Sequence, residues 1–167
     1  MKEGIGLKRL PALLIILLLF MLVGCGAKEP TAVTIDRSFC CRVAIEQAGL
    51  PYEAELTVTP EQCAAVFSLP KTMKGMKMTA KNGCVSVQYG ENKNEVSLPN
   101  PRQCFLYWLD RALMQSEATL SRKENTFTLQ GIIENQKYLL TIDRESSLPL
   151  YFEMDSLDLT VKFQSGE

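Results

Sequence analysis

Apolar and polar residues alternate along most of the chain that follows an N-terminal apolar run. Because successive side chains of a β-strand point to opposite faces, this alternation predicts strands with one apolar and one polar face. Short turn signals separate the alternating segments, and the clearest is Asn82-Gly83, a dipeptide preferred in two-residue hairpin turns. The pattern therefore predicts an antiparallel meander.

Pairing the strands through their turns places the apolar residues of neighbouring strands on one common face. The predicted turns are Gly49-Leu50, Pro60-Glu61, Asn82-Gly83, Asn135-Gln136 and Asp155-Ser156. The Asn82-Gly83 turn pairs Ala80 with Val85, Met78 with Val87 and Met76 with Tyr89. The other turns pair Ile45 with Ala54, Val58 with Cys63, Tyr52 with Leu69, Ile133 with Tyr138 and Phe152 with Leu159, and they place Glu153 opposite Asp158.

One amphipathic helix interrupts the strands. It is predicted to run from Asn100, as N-cap, to about Gln115, with Pro101 at the first helical position and Gln103 completing a capping box. The apolar arc of about 160 degrees contains Phe105, Leu106, Trp108, Leu109, Ala112 and Leu113, whereas Arg102, Gln103, Asp110 and Arg111 lie largely outside it. We expect the helix to lie across the apolar face of the sheet.

The predicted fold class is α+β, mostly β, because a twisted sheet of about ten strands curls instead of staying flat. The sheet forms a half-open barrel with the helix on its concave face, and a helix of about 22 Å cannot cover all of it. The remaining inner surface either binds a ligand or is filled by the side chains of the sheet. The candidate lining residues are Met76, Met78, Val87, Tyr89, Trp108, Leu129, Ile142, Phe152 and Leu159.

The N-terminal residues have the order of a secretory signal, with Lys2, Lys8 and Arg9 ahead of an apolar stretch from Ala12 to Val23. The stretch ends in Leu22-Val23-Gly24-Cys25, which resembles the bacterial lipobox. The resemblance implies cleavage before Cys25 and a diacylglyceryl group joined to its sulfur through a thioether, with an ordinary cleaved signal or an uncleaved anchor as alternatives. The expected organisation is a signal peptide at 1–24, a lipidated tether at 25–34 and one domain at 35–167.

Cleavage removes three basic residues and one acidic residue, so the net charge changes from −1 for the whole chain to about −3. This charge does not favour nucleic acid as a partner. The expected location is the extracytoplasmic face of the cell membrane, with the lipid anchor in the bilayer.

The residues give little support to catalysis, because the chain contains no histidine, the usual base and the commonest zinc ligand. The carboxylates Glu153 and Asp158 are expected to face solvent. The five cysteines after Cys25 match no zinc or redox spacing, and we expect free thiols at Cys40, Cys41, Cys63, Cys84 and Cys104. We therefore predict no enzyme, no cofactor and no metal.

The order of elements, with Tyr138–Asp143 followed by Leu148-Pro149-Leu150, resembles the LolA-like lipoprotein carriers. This resemblance implies binding of acyl chains between the curved sheet and its helix, without covalent chemistry. With the lipobox, the chain is also similar to germination lipoproteins of spore-forming clostridia, which support a peptidoglycan amidase. The predicted function is a membrane-anchored binding module for an acyl lipid, and the alternative is a protein scaffold for an enzyme of the cell envelope.

Overall fold

The computed structural model of the protein describes residues 35–90, 95–115 and 118–164. The predicted signal peptide, the tether and Cys25 lie outside the described residues. Within them, eleven antiparallel strands form one curved open sheet with one α-helix. The predicted fold class is confirmed.

The strands occur in two runs separated by the helix. They are β1 Phe39–Gln47, β2 Leu50–Thr59, β3 Gln62–Leu69, β4 Met76–Lys81, β5 Cys84–Tyr89, β6 Val96–Ser97, β7 Thr119–Lys123, β8 Thr126–Ile133, β9 Gln136–Asp143, β10 Pro149–Met154 and β11 Leu159–Gln164, and the helix α1 is Phe105–Met114. Their order across the sheet is β6-β5-β4-β3-β2-β1-β11-β10-β9-β8-β7. Each run is a meander, as predicted, and the first and last strands pair in the middle of the sheet.

The β4–β5 hairpin has the predicted register. Met78 faces Val87, and Asn82 and Gly83 both have positive φ angles of 52° and 76°. Positive φ at both central residues is the requirement of the two-residue turn that matches strand twist. The dipeptide signal therefore located this turn correctly.

Three other hairpins have registers that differ from the prediction by two residues. Two of them turn one residue earlier than predicted, at Ala48-Gly49 and Glu134-Asn135, which all have positive φ. The third has a 3-10 turn at Asp155–Leu157 and then Asp158 in the left-handed region. The observed pairs are Ile45 with Tyr52, Ile133 with Gln136 and Phe152 with Val161, so the predicted partners Ala54, Tyr138 and Leu159 are wrong.

Two further pairs also differ from the prediction. A bulge between Glu53 and Ala54 places Leu69 opposite Glu53 instead of Tyr52, although the rest of the β2–β3 register, including Val58 with Cys63, is confirmed. Such an inserted residue displaces every later pair along the strand. Glu153 faces Thr160, so the predicted pair with Asp158 does not form.

The helix begins later than predicted. Pro101–Gln103 form a 3-10 turn, Asn100 makes no side-chain capping bond, and Cys104 has extended backbone angles. The predicted capping box is wrong because the extended Cys104 separates the 3-10 turn from the helix. Ten helical residues span about 15 Å, which is shorter than the predicted 22 Å.

The apolar inner face of the sheet and the helix share one core. Helix α1 contacts β3, β4, β5 and β8, so it lies across the concave face, as predicted. The largest side chains that are almost completely buried include Leu56, Leu106, Leu109, Leu140, Ile142, Phe152 and Val161. Because both runs of strands contribute to this core, the described residues fold as one hydrophobic unit.

Gly131 allows a close contact in the core between β8 and β9. A Cβ atom at this position would lie 2.4 Å from Cε1 of Tyr138, the residue directly opposite. The Tyr138 ring is buried and packs beside Phe152, with 6.1 Å between the ring centroids. A ring held between the sheet and Phe152 cannot move away easily, so a glycine is required under it.

The expectation that Asp110 lies on the polar, solvent-facing side of the helix is wrong. Its side chain is buried, and the residue is only 4% exposed. Helix α1 packs against β3, which brings the Asp110 carboxyl group beside the Cys63 thiol. Among the described residues, Oδ1 of Asp110 has no hydrogen-bond partner. Burial raises the pKa of Asp110, and the neighbouring Cys63 thiol and the charges of Arg111 and Arg37 oppose this shift only in part.

Replacing this carboxyl group tests its burial. An acid with a raised folded-state pKa is protonated more readily in the folded than in the unfolded chain, so its contribution to stability falls as the pH rises through that pKa. We predict that Asp110→Asn has about the wild-type free energy of unfolding at acidic pH and gains roughly 1 kcal/mol relative to wild type at neutral pH. Urea denaturation across this pH range measures the difference.

Glu124→Gln, in the exposed β7–β8 turn, is the matched control, and its difference from wild type should stay small at every pH. A difference between Asp110→Asn and wild type that does not change with pH would contradict the assignment of a buried carboxylate.

Candidate functional site

A cavity of about 320 Å³ lies at the N-terminal end of the helix, between the inner face of the sheet and the chain that enters the helix. We call it the end cavity. Its lining consists of Gln47, Tyr52, Phe67, Met73, Met78, Leu98, Pro99, Asn100, Gln103, Cys104 and Phe105. The cavity exists where the helix stops covering the sheet, since the residues before Phe105 are not α-helical.

Aromatic rings form one wall of the end cavity. Phe67 is in edge contact with both Tyr52 and Phe105, with ring centroids 6.2 Å and 6.1 Å apart. Edge-to-face rings at this spacing attract each other beyond the gain from buried area. They therefore give the cavity a rigid apolar side.

Sulfur-containing side chains form another wall. The Sγ atom of Cys104 lies 3.5 Å from Sδ of Met78, and Met73 also lines the cavity. Burial raises the pKa of the Cys104 thiol, while the backbone amides of Leu106 and Tyr107 lower it by less. The thiol is therefore neutral at neutral pH, and the flexible methionines allow this wall to adapt to its occupant.

Amide side chains lie among the lining residues. Gln47, Asn100 and Gln103 belong to this group, and Nε2 of Gln47 donates a hydrogen bond of 3.0 Å to the carbonyl oxygen of Gln103. Among the described residues that line the cavity there is no Asp, Glu, Lys or Arg. The cavity thus combines apolar walls with neutral hydrogen-bonding groups.

The inner face of β4, β5 and β6 continues past the end cavity as an apolar strip. We define the open strip as Met76, Val87, Tyr89 and Val96, where Met76 faces Tyr89 and Val87 faces Val96. Tyr89 is 61% exposed and Val96 is 66% exposed. The strip joins the cavity through Met78, which faces Val87. Contiguous exposed apolar surface of this kind is typical of binding sites.

The predicted lining residues fall into three groups. Met78 lines the end cavity, and Met76, Val87 and Tyr89 belong to the open strip. Buried in the common core, away from the cavity lining, are Trp108, Leu129, Ile142, Phe152 and Leu159. These five are core residues because the helix and the sheet fill the space between them.

Sequence reasoning did not select several residues of the cavity. Tyr52 and Phe67 had a usable signal, since each lies two residues from a buried residue on the inner face of its strand. Met73 and Leu98 lie in connections between strands, where no periodic pattern indicates their direction. Phe105 was placed in the apolar arc of the helix, but the position of the helix start made it a cavity residue.

A cluster around Glu134 fastens the helix to the β8–β9 turn. The hydroxyl of Tyr107 donates a hydrogen bond to Glu134, and Nε of Arg102 lies 2.7 Å from its Oε2 atom. The Tyr107 hydrogen bond, followed by the charge of Arg102, lowers the pKa of Glu134. The carboxylate therefore stays ionised and holds one side of the helix in place.

The described residues show neither a group of three or more potential metal ligands nor a helix of the length and apolarity needed to cross a membrane. Their cysteines, Cys40, Cys41, Cys63, Cys84 and Cys104, are free thiols, as expected from the sequence. Burial raises the pKa of Cys41 to about 11.

No protein-family model and no curated protein matches the chain. Among solved structures it is similar to a chain in the structure of the CwlD amidase from Clostridioides difficile in complex with the GerS lipoprotein, with 16% identity and a TM-score of 0.48, over 100% of this chain and 99% of the other. It is also similar to an uncharacterized conserved protein from Thermus thermophilus, with 14% identity and a TM-score of 0.48, over 78% and 80% of the two chains.

A third similar structure is the LolA superfamily protein NE2245 from Nitrosomonas europaea, with 16% identity and a TM-score of 0.41, over 81% of this chain and 74% of the other. These structures include both kinds of protein that the sequence resembles.

Proposed function

We propose that the domain is a non-catalytic binding module that takes an acyl chain into the end cavity. The observation that carries this proposal is the apolar cavity of about 320 Å³ beside the exposed open strip. Its volume lies near the lower end of the range of small-molecule sites, roughly 300–1,000 Å³. Each buried methylene contributes about 0.8 kcal/mol, so a single chain is enough for measurable affinity.

The chemistry of the lining supports binding without catalysis. Among the described residues of the cavity, none is a carboxylate or an imidazole that could act as a general base. The thiol of Cys104 is a weak nucleophile because burial raises its pKa and favours the protonated form.

The proposal includes attachment of the protein to the extracytoplasmic face of the cell membrane through a diacylglyceryl group on Cys25. The residues that support it are the basic start, the apolar stretch and Leu22-Val23-Gly24-Cys25. Two acyl chains on one residue are enough for stable anchoring. A tethered domain acts locally, so the role is reception or holding of the ligand at the membrane.

A second candidate function is the binding of a protein of the cell envelope. The observation that favours it is the exposure of Tyr89 and Val96, which lie on the open strip outside the cavity lining. An acyl chain confined to the cavity would leave these side chains in water, whereas a protein partner would cover them.

For the primary proposal, we predict that residues 26–167 copurify with acyl lipid and that Met73→Glu weakens acyl binding by about tenfold or more, because it places a carboxylate in the apolar wall. Native mass spectrometry detects the bound lipid, and displacement of a fluorescent acyl probe measures the affinity.

Val66→Glu is the matched control, since Val66 lies on the opposite face of the sheet and is 43% exposed. It should bind like wild type, and thermal unfolding should show that both variants remain folded. An empty cavity together with a stable complex between this protein and an envelope protein would support the second candidate function and overturn the first.

For the anchor, we predict that cells grown with radiolabelled palmitate incorporate the label into the wild-type protein and that Cys25→Ala loses both the label and membrane association. Cys84→Ala, which removes an exposed thiol of β5, should keep the label. Equal labelling of wild type and Cys25→Ala would show that Cys25 is not the attachment site.

A further inference from the structure

The polar groups of the end cavity are hydrogen-bonding groups without charge. Asn100 and Gln103 are exposed, Gln47 is half-buried, and all three are lining residues of the cavity that carry side-chain amides. A side-chain amide offers both donors and an acceptor, so it can bind hydroxyl groups as well as carbonyl oxygens. The apolar remainder of the lining accommodates a hydrocarbon chain, and the amides are suited to its polar end.

A charged head group would lack a partner among these residues. Moving an ionised carboxylate away from water is unfavourable unless a counter-charge or several hydrogen bonds compensate it. Arg102, next to Gln103 in the chain, is paired with Glu134 at 2.7 Å. Lys71 and Lys74 flank Met73 in the chain and are exposed, but neither lines the cavity.

We propose that the end cavity selects acyl chains that carry an uncharged head with hydroxyl or ester oxygens, as in a glyceride. This inference rests on the proposed function, because it names the class of ligand for the same cavity. The amides of Gln47, Asn100 and Gln103 bind the ester and hydroxyl oxygens, and the sulfur and aromatic walls enclose the chain.

The test compares three probes with the same hydrocarbon length, namely monolaurin, lauric acid and dodecyl phosphate. Each of the three competes with a fluorescent acyl reporter for residues 26–167, which include the sheet and its whole described core. The competition is measured at neutral pH and below the concentration at which the three compounds aggregate. We expect monolaurin to bind at least about tenfold more tightly than lauric acid.

A second test introduces a positive charge at the cavity and measures the preference between monolaurin and lauric acid again. Gln103→Lys supplies the missing counter-charge and should shift the preference toward lauric acid by about tenfold. Gln130→Lys, on the exposed outer face of β8, adds the same charge away from the cavity and should leave the preference unchanged.

The outcomes separate this inference from the proposed function. Binding of lauric acid or dodecyl phosphate as tightly as monolaurin would overturn the neutral-head inference and leave acyl binding intact. A preference that does not respond to Gln103→Lys would also overturn it, because the head group would then lie elsewhere. If none of the three probes binds, the proposed function fails as well.

Discussion

A curved sheet with one apolar face is stable in water only when that face is covered, and in the described part of this chain one ten-residue helix covers it. The helix spans about 15 Å, which is the width of about three strand spacings. It covers the part of the concave face that it contacts on β3, β4, β5 and β8, and it leaves the open strip on β4, β5 and β6 partly exposed. The end cavity and the open strip both result from this mismatch between sheet and helix.

Polar contacts on two sides position the helix over the sheet. On one side Tyr107 and Arg102 bind Glu134 of the β8–β9 turn, and on the other side Asp110 meets the Cys63 thiol of β3. The second contact is made by a buried carboxyl group, which costs stability when it is ionised. The segment before Phe105 is also tied to the sheet, through Arg102 and through the Gln103 carbonyl, which accepts a hydrogen bond from Gln47. Because this segment is not α-helical, it leaves the end cavity above the inner face.

The sequence predicted which face of each strand is apolar more reliably than it predicted which residues pair. A register shift of two residues keeps every side chain on the same face, so alternation alone cannot detect it. This explains why Ile45 and Phe152 were given the wrong partners although both are buried as expected. The correct turns needed positive φ at Ala48 and Glu134, residues without the Asn-Gly signal that marks the β4–β5 turn.

The candidate site was predictable only where it lies on strands. Met78 and the open-strip residues on β4 and β5 followed from alternation, whereas Met73 and Leu98 reach the cavity from irregular connections. The burial of Asp110 could not be predicted from the helical pattern, since it depends on how far the curved sheet reaches around the helix. Local pattern therefore identified the apolar surface, and tertiary geometry decided which part of it stays open.

The uncovered end of the concave face is the proposed binding site for an acyl chain. A crystal structure of residues 26–167 with a monoacylglycerol that carries bromine at the end of its chain tests this most directly, since anomalous scattering locates the bromine. We predict an anomalous peak among Phe67, Met78 and Phe105. A peak on the outer face of the sheet, or an end cavity closed by its own side chains with no bromine bound, would contradict the proposal that the acyl chain binds in the end cavity.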